Sequence, residues 1–211
     1  MNYKHELILK KCEEQNVLDI GAANFPYHIE RCKNNTLIHQ KIKKVAKSLV
    51  GIDINKEAIQ ELKKYNIKDI YYGDIVENKY DFKIKDDFDI IIFGDVIEHL
   101  DNPGLALNNL KQFMSKKTIL IITAPNTWSI FNIKNMFSKN ENVHPDHTFW
   151  TSKKTMDNLI KRQGYIINSF EYVLDGSEQD KVPIKGKLFR YLFLKKIPHF
   201  RQVLYYETTM K

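Results

Sequence analysis

Five short apolar runs punctuate the first 125 residues: "NVLDI" from Asn16, "SLVGIDI" from Ser48, "DIYYGDI" from Asp69, "FDIIIFGDV" from Phe88 and "TILIITAP" from Thr118. Runs this short and this continuously apolar suit strands buried on both faces. Between them lie stretches with apolar residues at helical spacing, such as "NKEAIQELKKYN" and "NPGLALNNLKQFMSKK". In the first of these, Asn55 can cap the helix while Ala58, Ile59 and Leu62 form its packing face. Strands alternating with helices predict an α/β fold built on a parallel sheet with crossover helices.

The chain has 211 residues, 43% hydrophobic and 28% charged. That is enough for one substantial core, and with no internal repeat or low-complexity linker a single domain over 1–211 is expected. No apolar run approaches the ~20 residues that span a bilayer. "MNYKHELILKKCEEQ" carries acids where a signal peptide has its apolar stretch, so a cytoplasmic location is expected. Cys12 and Cys32 lack metal-ligand spacing and read as reduced thiols. The net charge of +7 is spread over "LILKK", "KIKKVAK", "ELKKYNIKD", "SKK" and "LKKIP". Such dispersal fits solvated helix faces, and nucleic acid is not the expected partner.

The strand ends carry the chemistry. Asp19 closes the first run, Asp53 the second, and Asp74 and Asp95 follow the third and fourth. Open parallel sheets bind ligands in the crevice beyond their strand C-termini, where an acid after the second strand can accept both hydrogen bonds of a ribose diol. Asp53 has that setting. It lies farther from Gly21 than the ~20 positions usual in dinucleotide folds, because the helix-patterned "TLIHQKIKKVAKS" intervenes. The loop after the first strand holds one glycine, Gly21, followed by Ala22, Ala23 and Asn24. A pyrophosphate pressed onto a helix N-terminus requires several glycines, whereas a cofactor without phosphates requires only a close backbone turn. Ala23 stands where a second glycine is usual, so the turn must avoid positive φ there.

In this order, "VLDIGAANF", "VGIDI", "YYGDI", "FDIIIFGDVIEHLDNPG" and "ILIITAPN" resemble the class I S-adenosylmethionine-dependent methyltransferases over nearly the whole chain. The resemblance implies a Rossmann-like, mostly parallel seven-stranded sheet with helices on both faces and an antiparallel last strand, "VLYYETT". It implies S-adenosyl-L-methionine as cofactor. The methionine part would lie against Asp19, Gly21 and Ala23, the ribose on Asp53 with Ile54 beside it, and the adenine at Asp74 and Ile75. Asp95 completes that set.

"GDVIEHLDNPG", "TAPNTWS" and "HPDHTFWTSKKTMDNLIKRQGY" look like the branch of small-molecule methyltransferases found in sugar and surface-glycan pathways. By that likeness the acceptor is a small polar molecule such as a sugar or sugar nucleotide, methylated on oxygen, with an acceptor-side insertion around 126–151. An RNA methyltransferase and a cofactor-binding subunit without activity are the alternatives. There is no Asn-Pro-Pro-Tyr-like loop after the fourth strand and no cysteine near the fourth or fifth, which disfavours both routes of base methylation. Direct in-line transfer remains, with one base to remove a proton. The resemblance puts His147 first in that role, with His144 and His99 in reserve. Equally, His147 can serve only to hold its loop. His39 reads as structural, and His144, Asp146 and His147 around Pro145 offer too few ligands for a metal site to be expected.

Trp128, Phe131, Phe149 and Trp150 crowd that insertion as core or as pocket wall. Ser152 is placed to cap the next helix and Gly164 to end it. The basic and aromatic "KGKLFRYLFLKKIPHFRQ" is expected to pack as an edge element between the last two strands, the other reading being a membrane-surface contact.

Overall fold

The run Ile90–Phe93 sends Ile91 and Phe93 into one core and Ile90 and Ile92 into another, all of them buried. That is the two-residue period of a strand covered on both faces. The computed structural model describes residues 3–81, 88–137, 143–175 and 192–211. Within them eight strands form one sheet: β1 (Asn16–Ile20), β2 (Ser48–Asp53), β3 (Ile70–Asp74), β4 (Lys79–Tyr80), β5 (Ile90–Gly94), β6 (Ile119–Pro125), β7 (Tyr165–Val173) and β8 (Val203–Met210). Their spatial order is β4-β3-β2-β1-β5-β6-β8-β7. The pairs β1–β2, β2–β3, β1–β5 and β5–β6 are parallel. The last strand, β8, runs antiparallel to β6 on one side and β7 on the other.

The mostly parallel α/β architecture and its antiparallel last strand are as predicted, with eight strands in place of seven. The additional strand is β4, two residues paired antiparallel to the end of β3. Asp74 makes the turn that allows it: its Oδ1 accepts from the backbone N–H groups of Val76 and Glu77 at 2.9 Å each. A two-residue strand is too short to leave a periodicity in the sequence.

Helices α1 (Lys4–Cys12), α2 (His28–Lys33), α3 (Ile38–Ile42), α4 (Lys56–Lys64), α5 (Pro103–Leu110), α6 (Ile130–Phe137) and α7 (Lys153–Arg162) complete the fold. Asn55 caps α4 by accepting from Ala58 N–H at 2.9 Å, and Ala58, Ile59 and Leu62 are its buried face. Asn102 caps α5 through Leu105 N–H, with Pro103 in the first turn, where its missing N–H costs nothing. Ser152 caps α7 in a reciprocal box with Thr155, and Gly164 follows at φ 77°. Cys12 and Cys32 are free and buried. Burial pushes the Cys12 thiol up to about 12, which keeps it unreactive. Of the basic and aromatic tail, residues 185–191 lie outside the described residues. In the rest, Leu194 is buried, and Arg201 donates to the carbonyls of Leu194 and Tyr172.

One buried ionic group ties α3 to the sheet. His39 Nδ1 lies 2.9 Å from Asp19 Oδ2, and His39 Nε2 lies 3.5 Å from Asp69 Oδ1, an ion-pair contact longer than a hydrogen bond. Lys43 Nζ holds the other Asp69 oxygen at 2.8 Å. Burial alone would lower the His39 pKa, but the two carboxylates outweigh it and raise it to about 9. A pKa raised in the folded state means that folding favours the protonated form. His39 therefore stabilises the protein fully below 6.5, and the contribution is lost as pH rises through about 9. In urea unfolding, the stability difference between wild type and His39→Gln should be largest near about pH 6 and shrink toward about pH 10. A difference that stays flat across that range would mean that His39 is not charged in the fold.

Candidate functional site

The chain leaves β1 toward β2 and β3 on one side of the sheet and returns through β5 and β6 on the other. The crevice therefore opens beyond the carboxyl ends of β1 and β5. Gly21 begins the loop at φ 78°. A Cβ there would lie 2.5 Å from Val96 Cγ2, so the β1 loop and the β5 turn meet across a contact that only glycine permits. Gly21 N–H and Ala22 N–H both donate to Ile52 C=O, at 2.8 and 3.1 Å. Ala23 N–H donates to Asp53 Oδ2 at 2.9 Å. The second left-handed residue is Asn24, at φ 60°, and Ala23 keeps a negative φ. With all three amides committed to β2, the loop is not a phosphate cradle.

Asp53 is thus a fastener as well as a candidate ligand. Its Oδ1 accepts from Asn55 N–H at 2.8 Å. Burial raises its pKa, opposed by those backbone donors. A carboxylate has about four lone-pair positions, so both oxygens keep room for a further donor. Ile54, next in the chain, is 62% exposed at the crevice end of β2 and offers an apolar surface there. Asp74 is committed through Oδ1 to its turn. Ile75 is buried in the core, with its carbonyl bonded by Asn109 Nδ2 at 2.9 Å. The Asp19 carboxylate is buried on His39, so its influence on the crevice runs through the backbone of the loop.

Asp95 takes the left-handed conformation at φ 54°. Its Oδ1 accepts from Thr123 Oγ1–H at 2.8 Å, and its other oxygen pairs with Lys4. Lys4 is buried and also meets Asp175 Oδ1 at 2.8 Å. Burial opposes its charge, but the two carboxylates prevail and hold its pKa above the usual lysine range. Lys4 was not singled out from the sequence, though a signal exists. Lys4, Ile8 and Cys12 form the buried stripe of α1, and a lysine in an apolar stripe needs an anionic partner.

Beyond Asp95 the chain makes a short 3₁₀ turn, Ile97–His99. Thr148 pins a distant segment to it: its N–H and its Oγ1–H donate to Glu98 C=O at 2.9 and 3.2 Å, and Oγ1–H also reaches Leu100 C=O at 3.0 Å. Next to Thr148, a turn closed by His147 N–H on His144 C=O brings the two histidines of "HPDH" to one side. His99, His144 and His147 therefore converge, with one ring nitrogen from each within 4.8 Å of the others. The His99 and His147 rings lie nearly perpendicular, with centroids 4.7 Å apart. Burial, and then the neighbouring imidazoles, lowers the pKa of both His99 and His147, so they are neutral near pH 7. Glu98 Oε1 lies 4.0 Å from His147 Nε2. Its side chain is 2% exposed, and Oε2 has no hydrogen-bond partner among the described residues. Burial, and then Asp95, pushes the Glu98 carboxyl well above the usual carboxylate range.

The aromatic residues divide. Phe149 packs against the main core. Trp128 and Trp150 are 58% and 38% exposed, and they adjoin Thr127 and Thr151, which are joined by a backbone hydrogen bond of 3.0 Å.

Residues 3–169 match the family model of a methyltransferase domain. No curated protein sequence matches the chain. Among solved structures, an S-adenosylmethionine-dependent methyltransferase from Archaeoglobus fulgidus is 16% identical, aligns over 98% of this chain and 94% of its own, and has a TM-score of 0.58. One from Mesorhizobium loti is 12% identical over 97% of this chain and 95% of its own, with a TM-score of 0.58. The small RNA methyltransferase HEN1 is 16% identical over 99% of this chain but 25% of its own length, with a TM-score of 0.63. The match covers most of the chain and falls on a fold whose β1 loop suits a cofactor without phosphates. The chain belongs to the class I S-adenosylmethionine-dependent methyltransferases, and its cofactor is S-adenosylmethionine.

Proposed function

We propose that the protein transfers the methyl group of S-adenosylmethionine to a hydroxyl oxygen of a small polar acceptor, a sugar or sugar nucleotide. The observation that carries this reading is the histidine cluster beside Glu98, in which His99 and His147 are neutral, and which adjoins the cofactor loop through the contact of Val96 with Gly21. A hydroxyl is a poor nucleophile until its proton leaves, and a neutral imidazole is the side chain best suited to take it near pH 7. As the oxygen attacks the methyl carbon, the carbon–sulfur bond breaks with its electrons on sulfur, giving S-adenosylhomocysteine. The hydroxyl proton passes to His147. Glu98, 4.0 Å away, is the carboxyl group next to the imidazolium that forms. Of the stretch 126–151, residues 138–142 lie outside the described residues; the rest forms the acceptor side, where the exposed faces of Trp128 and Trp150 suit the C–H face of a sugar ring.

On the cofactor side, Asp53 takes the ribose diol, Ile54 lies against the adenine, and Asp74 with Ile75 forms the far wall. Asp19, Gly21, Ala23 and Asp95 shape the methionine end.

Incubation of the protein with radiolabelled S-adenosylmethionine and a panel of nucleotide sugars should label a sugar. Labelling of RNA with none of any sugar would replace this reading with that of an RNA methyltransferase. Because Asp53 also anchors two loop amides, its alanine variant mixes folding with binding. Asp53→Asn keeps an acceptor oxygen and separates them. Its affinity for S-adenosylhomocysteine in calorimetry should fall about tenfold or more, the value of one charged hydrogen bond. Unchanged affinity would exclude Asp53 from ribose binding.

If His147 is the base, His147→Ala loses about 10²–10⁴ in turnover with its affinity for S-adenosylhomocysteine intact. The acid limb of the wild-type kcat/KM profile then falls below 6.5, because burial lowers the His147 pKa and activity requires the neutral ring. An acid limb above 6.5, or wild-type turnover in the variant, removes His147 as the base.

A further inference from the structure

We propose that His99, His144 and His147 bind one divalent first-row transition-metal ion, with Glu98 as its counter-charge. One ring nitrogen from each histidine already lies within 4.8 Å of the other two. Donors around a tetrahedral ion with bonds of about 2.1 Å stand about 3.4 Å apart, so the imidazoles close on an ion by side-chain rotation alone. The backbone is fixed on both sides of the cluster. Thr148 is bonded to the carbonyls of Glu98 and Leu100, and the 144–147 turn is closed on itself.

The cluster also has the surroundings of a metal centre. His144 Nδ1 lies 3.8 Å from Asp146 Oδ2, so a proton carried on Nδ1 has a carboxylate beside it and Nε2 is then the ligand atom; the 3.3 Å bond from Asp146 N–H to Nδ1 gives way in that tautomer. Metal-binding imidazoles are oriented by such outer partners. Glu98 supplies an independent pointer. It is a carboxyl buried to 2% exposure, with one oxygen unpartnered and the other 4.0 Å from His147 Nε2. An unpartnered buried carboxyl is costly, and a dication beside it removes that cost.

Three nitrogen donors select for zinc, cobalt, nickel, iron or manganese over magnesium or calcium, which prefer oxygen. Three protein nitrogens also leave coordination positions open, as in sites that act on a bound oxygen. What the ion would do there rests on the methyl-transfer reading. An acceptor hydroxyl bound to it would lose its proton to solvent at a lower pH than when free, and His147 would then be a ligand in place of the base.

The test uses the full chain stripped by a chelator and titrated with Co²⁺, with visible d–d absorption and calorimetry as readouts. One ion should bind per chain. His144→Ala and His147→Ala should each weaken Co²⁺ at least ~100-fold, and Glu98→Gln ~10-fold or more. His199→Ala, outside the cluster, should bind as wild type does. Mg²⁺ should not compete at equal concentration. Unchanged Co²⁺ affinity in the cluster variants, the absence of a d–d spectrum, or Mg²⁺ binding as tight as Co²⁺ overturns the assignment. Calorimetry with S-adenosylhomocysteine on the same samples shows whether each variant is folded. It also separates the two readings, because Co²⁺ binding without S-adenosylhomocysteine binding sinks the cofactor assignment and leaves the metal site, and the reverse sinks the site alone.

Discussion

A parallel sheet covered by helices on both faces leaves polar chemistry one outlet, the carboxyl ends of its strands. In this chain the constraint acts at the junction of β1 and β2. Ile52 C=O and the Asp53 carboxylate take the amides of Gly21, Ala22 and Ala23, so the β1 loop is sewn to the end of its neighbour. The economy of glycine follows. Left-handed backbone is needed at Gly21, where Val96 crowds the position, and at Asn24, a residue type that tolerates it. The intervening alanines bury their methyl groups beneath α4 in the same cluster as Ala58, Ile59 and Leu62. A loop with its amides turned inward has none to offer a pyrophosphate, and this suits a sulfonium cofactor.

Several charges drawn out of water are met by an opposite charge. Asp19 and Asp69 share His39, with Lys43 on Asp69. Asp95 and Asp175 share Lys4. Each set joins elements distant in sequence, because a charge removed from water must find its opposite wherever the fold can bring one. Glu98 differs. Among the described residues it has no lysine or arginine of its own, one of its oxygens lacks a partner, and its neighbour is the histidine cluster. Asp53, a second buried acid without a cation, has a backbone donor on each oxygen, whereas Glu98 keeps one oxygen that no described residue bonds.

Much of this was legible in the sequence, and the limits have physical causes. Continuous apolar runs ending in acids gave the parallel sheet, because burial on both faces suppresses alternation. Asn55 and Ser152 were recognisable caps because capping depends on residues only three positions apart. The strand Lys79–Tyr80 was not legible, since two residues carry no period. Nor was the partnership of Lys4 with Asp95, which joins positions 91 apart in the chain. The histidine cluster lies between these cases. "HPDH" marks two of its members, but the third, His99, arrives only through the bonds that Thr148 makes to the backbone at Glu98 and Leu100. A hydroxyl on a carbonyl has no spacing signature.

The same contrast separates the strand ends from the connections that carry the histidine cluster. The strand ends and the loop amides are positioned by the sheet itself. The histidines and tryptophans lie on the connections after β5 and β6, which threonines hold to main-chain carbonyls. Any residue supplies a carbonyl, so those connections can exchange Trp128, Trp150 or the histidines without disturbing a single strand pairing. What links the two is the contact of Val96 with Gly21, where the turn leading to Glu98 and His99 rests on the loop that faces the cofactor. A larger residue at position 21 would push the two apart. The glycine kept in a loop otherwise poor in glycine therefore sets how closely the turn after β5 rests on the β1 loop.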